Sequence, residues 1–221
     1  MSDAGVVFVE PQWVAAAAKG PVVEPPLSAA RVRALDTSDR VPDPGLILAV
    51  PGVVGLLTLR GGAPQAPLGN AVSSVLGLEP PTRLAYTEAD GRRLRWMSPD
   101  EWLLSCAPAE TTDIEARLRA ELGEAPRVSI TEVSAAWCVL ELGGRDVRAV
   151  LSRGVPIDVD PAVFPPGRTA STVFAKAGAT ISNLGEERYE VICRRSLADY
   201  IARWIASAAR GHGLRVQAGT D

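Results

Sequence analysis

The chain has 221 residues, 47% apolar and 22% charged, a composition that describes a soluble globular protein with ample material for a core. Its net charge of −3, with basic runs no longer than Arg92-Arg93 and Arg194-Arg195, excludes tracking of a phosphate backbone, so no nucleic acid partner is expected. The most apolar window, Gly45 to Leu59, is shorter than the roughly 20 residues a bilayer span needs, and the amino terminus lacks the pattern of a signal peptide. With Cys106, Cys138 and Cys193 scattered through apolar runs as buried reduced thiols are, a cytoplasmic protein with no membrane partner is the expectation.

Residues 1–44 carry prolines at 11, 21, 25, 26, 42 and 44 and no sustained amphipathic period, and read as an extended arm that lies on something. Trp13, an aromatic beside prolines, is its possible partner contact; docking back onto the same chain is the alternative. Residues 45–215 read as the folded domain, in halves of roughly 45–125 and 126–212, with 213–221 as a frayed tail. LILAV, then Pro51-Gly52, then VVGLLTL predicts two buried strands joined by a tight turn, since proline fixes φ at the first turn position and glycine tolerates the second.

Leu68, Val72, Val75 and Leu76 share one helical face, and Pro80-Pro81 ends that helix. Strands are predicted at Thr82–Thr87, Arg92–Met97 and Trp102–Ala107, with turns at Ala89–Gly91 and Ser98–Glu101. Thr112 to Glu115 has the capping-box spacing, opening a helix with Ile114, Leu118 and Leu122 inward. The second half repeats the recipe: strands at Arg127–Val133 and Trp137–Leu142, a helix from Arg145 to Arg153 stopped by Gly154, strands at Thr169–Lys176, Thr180–Asn183 and Tyr189–Cys193, and a helix with Ser196 as its N-cap. Two strands, a helix, three strands and a helix, twice over, predict an α+β protein built by internal duplication.

No catalytic constellation assembles from these residues. The only histidine, His212, lies between glycines in the expected tail, leaving a serine or cysteine nucleophile without an ordered base, and it forms no metal-ligand cluster with the cysteines. Gly143-Gly144 sits between a strand and a helix but lacks the spacing of a phosphate loop, and reads as a sharp turn with Asp146 in the first helical turn. Asp100 and Glu101 are adjacent on a turn, where neighbouring side chains point different ways into water, so a hairpin bend is preferred over an acid–base pair. Asp158 and Asp160 alternate with apolar residues, as on an exposed strand edge.

Several ordered stretches resemble the gamma subunits of heterotetrameric sarcosine oxidases: Pro99-Asp100-Glu101-Trp102-Leu-Leu; a glycine turn and helix ending Arg153-Gly154-x-Pro-x-Asp158; Phe164-x-x-Gly167 with Thr172 five residues on; and Arg195-Ser196-x-x-x-Tyr200. The resemblance implies intertwined β2-α-β3-α halves, as in the folate-binding aminomethyltransferase of glycine cleavage. It further implies a non-catalytic structural subunit with no cofactor in this chain. FAD, FMN, NAD and tetrahydrofolate are then expected in the alpha and beta partners, with delta as a third partner, of a complex that demethylates sarcosine to glycine and yields hydrogen peroxide. Pro99, Asp100, Glu101, Trp102, Gly154, Asp158, Gly167, Thr172 and Ser196 are accordingly structural signature residues. One departure stands out: where the family pattern has Asp-x-Ser, this chain has Glu132-Val133-Ser134. The alternatives are a free-standing folate-binding or aminomethyltransferase-like protein, and a branch that assists iron–sulfur clusters, whose motif cysteine is missing from FAKAGATI.

Overall fold

A computed structural model describes residues 25–61, 66–125 and 127–218. The elements in chain order are α1 (Ala29–Arg33), β1 (Leu46–Val50), β2 (Gly55–Arg60), α2 (Pro67–Leu76), β3 (Tyr86–Ala89), β4 (Arg92–Ser98), β5 (Glu101–Cys106), α3 (Thr111–Leu122), β6 (Ser129–Glu132), β7 (Trp137–Gly143), α4 (Val147–Leu151), β8 (Thr169–Phe174), β9 (Ala177–Gly185), β10 (Arg188–Arg194), α5 (Ala198–Ala208) and β11 (Leu214–Ala218). They form an α+β fold with two sheets, one of six strands in the order β11-β1-β7-β10-β9-β8 and one of five in the order β3-β4-β5-β2-β6.

Three apolar clusters explain the layering. Leu46, Leu48, Leu140 and Val191 of the larger sheet pack against Val32 of α1, Val147 and Leu151 of α4, and Ile201 and Ile205 of α5. Leu57, Leu59, Leu94 and Leu104 of the smaller sheet pack against Leu68 and Val72 of α2 and Ile114 and Leu118 of α3. Leu56, Leu103, Val139 and Ile192 join the two sheets face to face. Burying each such side chain fully stabilises the fold by about 1.5–3 kcal/mol. Helices therefore cover the outer faces, and a narrow apolar seam holds the inner ones.

The expected hairpin at Pro51-Gly52 does not form. β1 pairs with β11 and β7, and β2 pairs with β5 and β6, so Gly52, at φ +83°, carries the chain from one sheet to the other. The local turn chemistry suits a hairpin, but each strand has both edges filled by distant partners, and that pairing wins. The expected strand at Thr82–Thr87 is reduced to Tyr86–Ala89, because Leu84 adopts a positive φ of 57°.

The expected frayed tail is corrected, and the described part of the expected arm lies on this same chain. Trp13 lies outside the described residues, but from residue 25 onward the chain packs on its own larger sheet, with Leu27 and Val32 buried there. Residues 214–218 are not frayed: β11 runs parallel to β1, with Leu46 opposite Leu214. Thr37 donates its N–H to the Leu214 carbonyl and accepts the Leu214 N–H on its hydroxyl, each at 2.8 Å. His212 is ordered as well, with Nδ1 3.2 Å from Asp146 Oδ2 and its carbonyl accepting the Gly45 N–H at 2.8 Å.

Asp36 fastens this strand by accepting the Val216 N–H at 2.7 Å. Burial raises its pKa, but hydrogen bonds from the Ser38 hydroxyl and from the Val216 and Ser38 N–H groups outweigh that, holding it below the usual carboxylate value. A depressed carboxylate contributes stability that is present above its unfolded pKa of about 4 and is lost as pH falls through the folded value. The hydrogen-exchange protection of Val216 should hold at neutral pH and fall, relative to core amides such as Leu140, below about pH 4. Protection unchanged from neutrality to pH 3 would refute the link.

Three local expectations also change. Ser196 lies in a 3₁₀ turn, Arg195–Leu197, and does not cap α5; the residue before the helix is Leu197, with no side-chain cap. Thr112 is inside α3 rather than at its cap, since Pro108 starts a 3₁₀ turn one step earlier and Glu110 reaches back to the Ala107 N–H at 3.1 Å. Asp158 and Asp160 form no strand edge. Asp158 Oδ1 accepts the Asp160 N–H and Asp160 Oδ1 the Ala162 N–H, each at 2.9 Å, in a looped segment anchored by buried Val155, Val159 and Phe164.

Candidate functional site

The inner faces of the sheets carry the polar residues. Alternation along β4 sends Leu94 and Trp96 toward the helices and Arg93, Arg95 and Met97 toward the opposite sheet. On β10, Tyr189, Val191 and Cys193 face the helices, while Glu190 and Ile192 face inward. Arg95 and Glu190 thus meet between the sheets, at 0% and 3% exposure.

Their contact is a two-pronged ion pair, with Arg95 Nε donating to Glu190 Oε1 and Nη2 to Oε2, both at 2.7 Å. Nη1 donates to Ser105 Oγ at 3.1 Å and to the Arg93 carbonyl at 3.3 Å. Arg93 reaches Glu190 Oε2 at 3.0 Å and Glu88 at 2.9 Å, its guanidinium 5.2 Å from the Tyr86 ring centre. Burial pushes the Arg95 pKa down against the pull of Glu190; for Arg93 burial pushes the same way, but Glu190 and Glu88 raise the net value. Both Glu190 oxygens are engaged, so the cluster is a clamp between the sheets.

Two clefts open beside the seam. One, of about 430 Å³, is lined by Glu88, Arg92, Arg93, Glu141 and Glu190. The other, of about 490 Å³, has Val54, Leu56, Trp137 and Val139 as walls, with Glu132 and Arg195 among its polar lining. The Arg194 guanidinium lies 4.2 Å from the Trp137 ring centre. The Glu-x-Ser departure is placed here: Glu132 Oε1 accepts the Ser134 N–H at 2.9 Å, and Ser134 Oγ accepts the Leu56 N–H at 2.8 Å, fastening the end of β6 to β2.

Two of the three thiols, Cys106 and Cys138, are held protonated, while the bond from Cys138 lowers Cys193. Burial pushes Cys106 up to about 11, and a hydrogen bond to Cys193, opposite it on β10, together with burial pushes Cys138 up. Among the described residues no group of three His, Cys, Asp or Glu side chains could hold a metal ion.

The signature residues are spread through the fold rather than gathered in either cleft. Pro99 and Asp100 form the two-residue turn between β4 and β5, where Ser98 pairs with Glu101. Asp100 accepts from the Ser98 hydroxyl at 2.8 Å and from Arg60 Nε at 3.0 Å, and its carbonyl takes the Gly61 N–H. Those bonds to Arg60 and Ser98 hold its carboxyl below the usual range. Trp102 is buried in the core of the smaller sheet.

Gly154 leaves room for Trp204, whose ring would lie 2.7 Å from an added Cβ and which meets Phe174 edge-on at 5.1 Å. Gly167, at φ +89°, donates to the Asn183 carbonyl and accepts the Tyr86 N–H, joining the edges of the two sheets. Thr172 sits on β8 opposite Ala179, Ser196 in its 3₁₀ turn, and Asp158 in the loop after α4.

Residues 60–211 match the family described as "Sarcosine oxidase, gamma subunit family". The chain belongs to the sarcosine oxidase gamma subunit family. Among gamma subunit relatives, sarcosine oxidase subunit gamma of Arthrobacter sp. is 30% identical over 155 residues, spanning 70% of this chain and 74% of that one. The subunit of the same name from Corynebacterium sp. (strain P-1) is 29% identical over the same share of each chain. The fold of this gamma-family chain is shared with a chain of the heterotetrameric sarcosine oxidase from Corynebacterium sp. U-96, at a TM-score of 0.74 and 24% identity over 83% of this chain and 92% of that one. It is shared more loosely with the glycine cleavage system aminomethyltransferase T from Bartonella henselae, at a TM-score of 0.59 and 13% identity over 79% of this chain and 48% of that one.

Proposed function

We propose that this chain is the gamma subunit of a heterotetrameric sarcosine oxidase and serves its assembly rather than its chemistry. The complex would demethylate sarcosine to glycine, pass the one-carbon unit to tetrahydrofolate and release hydrogen peroxide, with FAD, FMN, NAD and tetrahydrofolate bound by its alpha and beta partners, and with delta as a further subunit, in the cytoplasm. The match to the gamma subunit family over residues 60–211 carries this reading. Within it, Asp100 and Glu101 act as turn residues, Gly154 and Gly167 as close-approach and bend positions, and Trp102 as core.

We further propose that the two halves are an intertwined duplication. In its support, β3-β4-β5-β2-β6 and β8-β9-β10-β7-β1 have the same order once each half lends its first strand to the other half's sheet. The aminomethyltransferase-like fold supports the same ancestry and also keeps a free-standing folate-binding protein as the second reading.

Co-expression of the tagged chain with its genomic neighbours, followed by an absorption spectrum of what co-purifies, tests the first reading. A flavin spectrum with larger subunits attached, and peroxide formed on adding sarcosine, is the expected result. A lone colourless chain that binds tetrahydrofolate by calorimetry would overturn it in favour of the second reading. Sarcosine oxidation by the chain alone would overturn the non-catalytic role.

A further inference from the structure

Four strands end the two sheets: β11 and β8 in the larger, β3 and β6 in the smaller. Three of them carry a charge, Arg215 on β11, Glu88 on β3 and Glu132 on β6, which discourages pairing with another chain. The fourth, β8, reads Thr-Ala-Ser-Thr-Val-Phe, with no charge, no proline and no shift in its register with β9. It also presents Val173, one of the most exposed large apolar side chains among the described residues, at 44%.

The hydrogen bonds show which part of this edge is open. The Thr169 N–H donates to the Leu84 carbonyl at 3.0 Å, and the Ala175 N–H to the Gly154 carbonyl at 2.7 Å; neither acceptor is on β9. Bonding alternates every second residue along an antiparallel strand. The N–H and C=O groups of Ser171 and Val173, between those two positions, therefore also turn away from β9, and have no partner among the described residues. Leu84 and Gly154 thus close the two ends of the edge and leave a gap between them. On the sheet face that bears Ser171, a cleft of about 240 Å³ walled by Met97, Trp137 and Leu197 lies beside this gap.

We propose that this gap on β8 is a docking site for a short extended segment of a partner subunit, which adds as a strand by pairing with Ser171 and Val173. The proposal rests on the subunit reading above. The incoming segment is uncharged, pairs through about three residues and sets an apolar side chain against Val173 and the adjoining cleft. A second copy of β8 would bring its own Leu84 and Gly154 flanks into collision with the first, which disfavours self-pairing.

Two substitutions isolate the edge. Val173→Pro removes an N–H that faces away from β9 and so spares the ladder, while Val173→Lys keeps the N–H and adds a charge. Both variants should unfold close to the wild-type temperature as lone chains, yet retain about tenfold less partner on affinity capture from the co-expressed complex, the effect of losing one or two hydrogen bonds. In the wild-type complex the Ser171 and Val173 amides should exchange about 100-fold more slowly than in the free chain. If the wild type captures its partners and both variants capture them equally, or the two amides stay unprotected, the docking edge is wrong while the subunit reading stands. A wild-type chain that captures no partner overturns both. A dimer of the free chain that Val173→Lys abolishes would make a second copy the occupant and overturn the partner assignment.

Discussion

Glu190→Ala should lower the unfolding free energy by about 3–5 kcal/mol, the cost of leaving a buried charge without its partner. Arg95 is fully buried between the sheets and spends two of its donors on Glu190. With that carboxylate gone, Ser105 Oγ and the Arg93 carbonyl remain as acceptors but supply no countercharge. Arg93 keeps Glu88 at the surface and suffers less. Replacing both partners with apolar residues of similar volume, Arg95→Met with Glu190→Leu, should recover most of the loss, because desolvation of two charges offsets much of what their attraction gives. Urea unfolding followed by tryptophan fluorescence measures both variants. A Glu190→Ala protein within 1 kcal/mol of wild type would show that water reaches Arg95 and that the clamp does not join the sheets.

Gly144→Ala should cost on the order of 3 kcal/mol, from two sources that add at one atom. The backbone there has φ +106°, a region that residues with a Cβ rarely adopt. An added Cβ would also lie 2.5 Å from the Gly45 carbonyl oxygen, which already accepts the Asp146 N–H at 3.0 Å. The obstacle is backbone on a neighbouring segment rather than the end of a flexible side chain, so the crossing at the ends of β1 and β7 must open. For a chain of this length the loss corresponds to a fall of roughly 6–12 °C in melting temperature. Gly178→Ala is the control: nothing lies within 4 Å of its would-be Cβ, and its melting temperature should stay near wild type.

Elements defined by their own residues were legible in the sequence. The apolar face of α2 at Leu68, Val72 and Leu76, the Pro99-Asp100 turn and the strands β4, β5, β7 and β10 follow from local periodicity and turn chemistry. What escaped depends on residues far apart in the chain. Pro51-Gly52 looks like a hairpin until β6 and β11 claim the edges it would have joined. Leu-Arg-Val-Gln-Ala is too short and polar to read as a strand unless β1 is known to lie beside it.

The Arg95–Glu190 clamp has its own signal in the sequence, charges at inward positions beside buried apolar residues: Arg93 and Arg95 on β4, Glu190 on β10. Which charge meets which follows only from how the sheets face each other. The resemblance to a family located signature residues at turns and helix ends, and none of those residues lies in the clamp.

The place of β1 also governs when this protein can fold. β1 leaves the ribosome early, yet one of its neighbours, β11, is among the last segments synthesised, and the other, β7, belongs to the second half of the chain. During translation Leu46, Leu48 and Val50 therefore stay unpaired until most of the chain has emerged, and pairing so distant in sequence is slow to nucleate. Each half taken alone would keep a sheet missing one strand and carry one strand missing a sheet. Over the interval of translation the unpaired apolar face of β1 is open to wrong partners, the condition under which aggregation competes with folding.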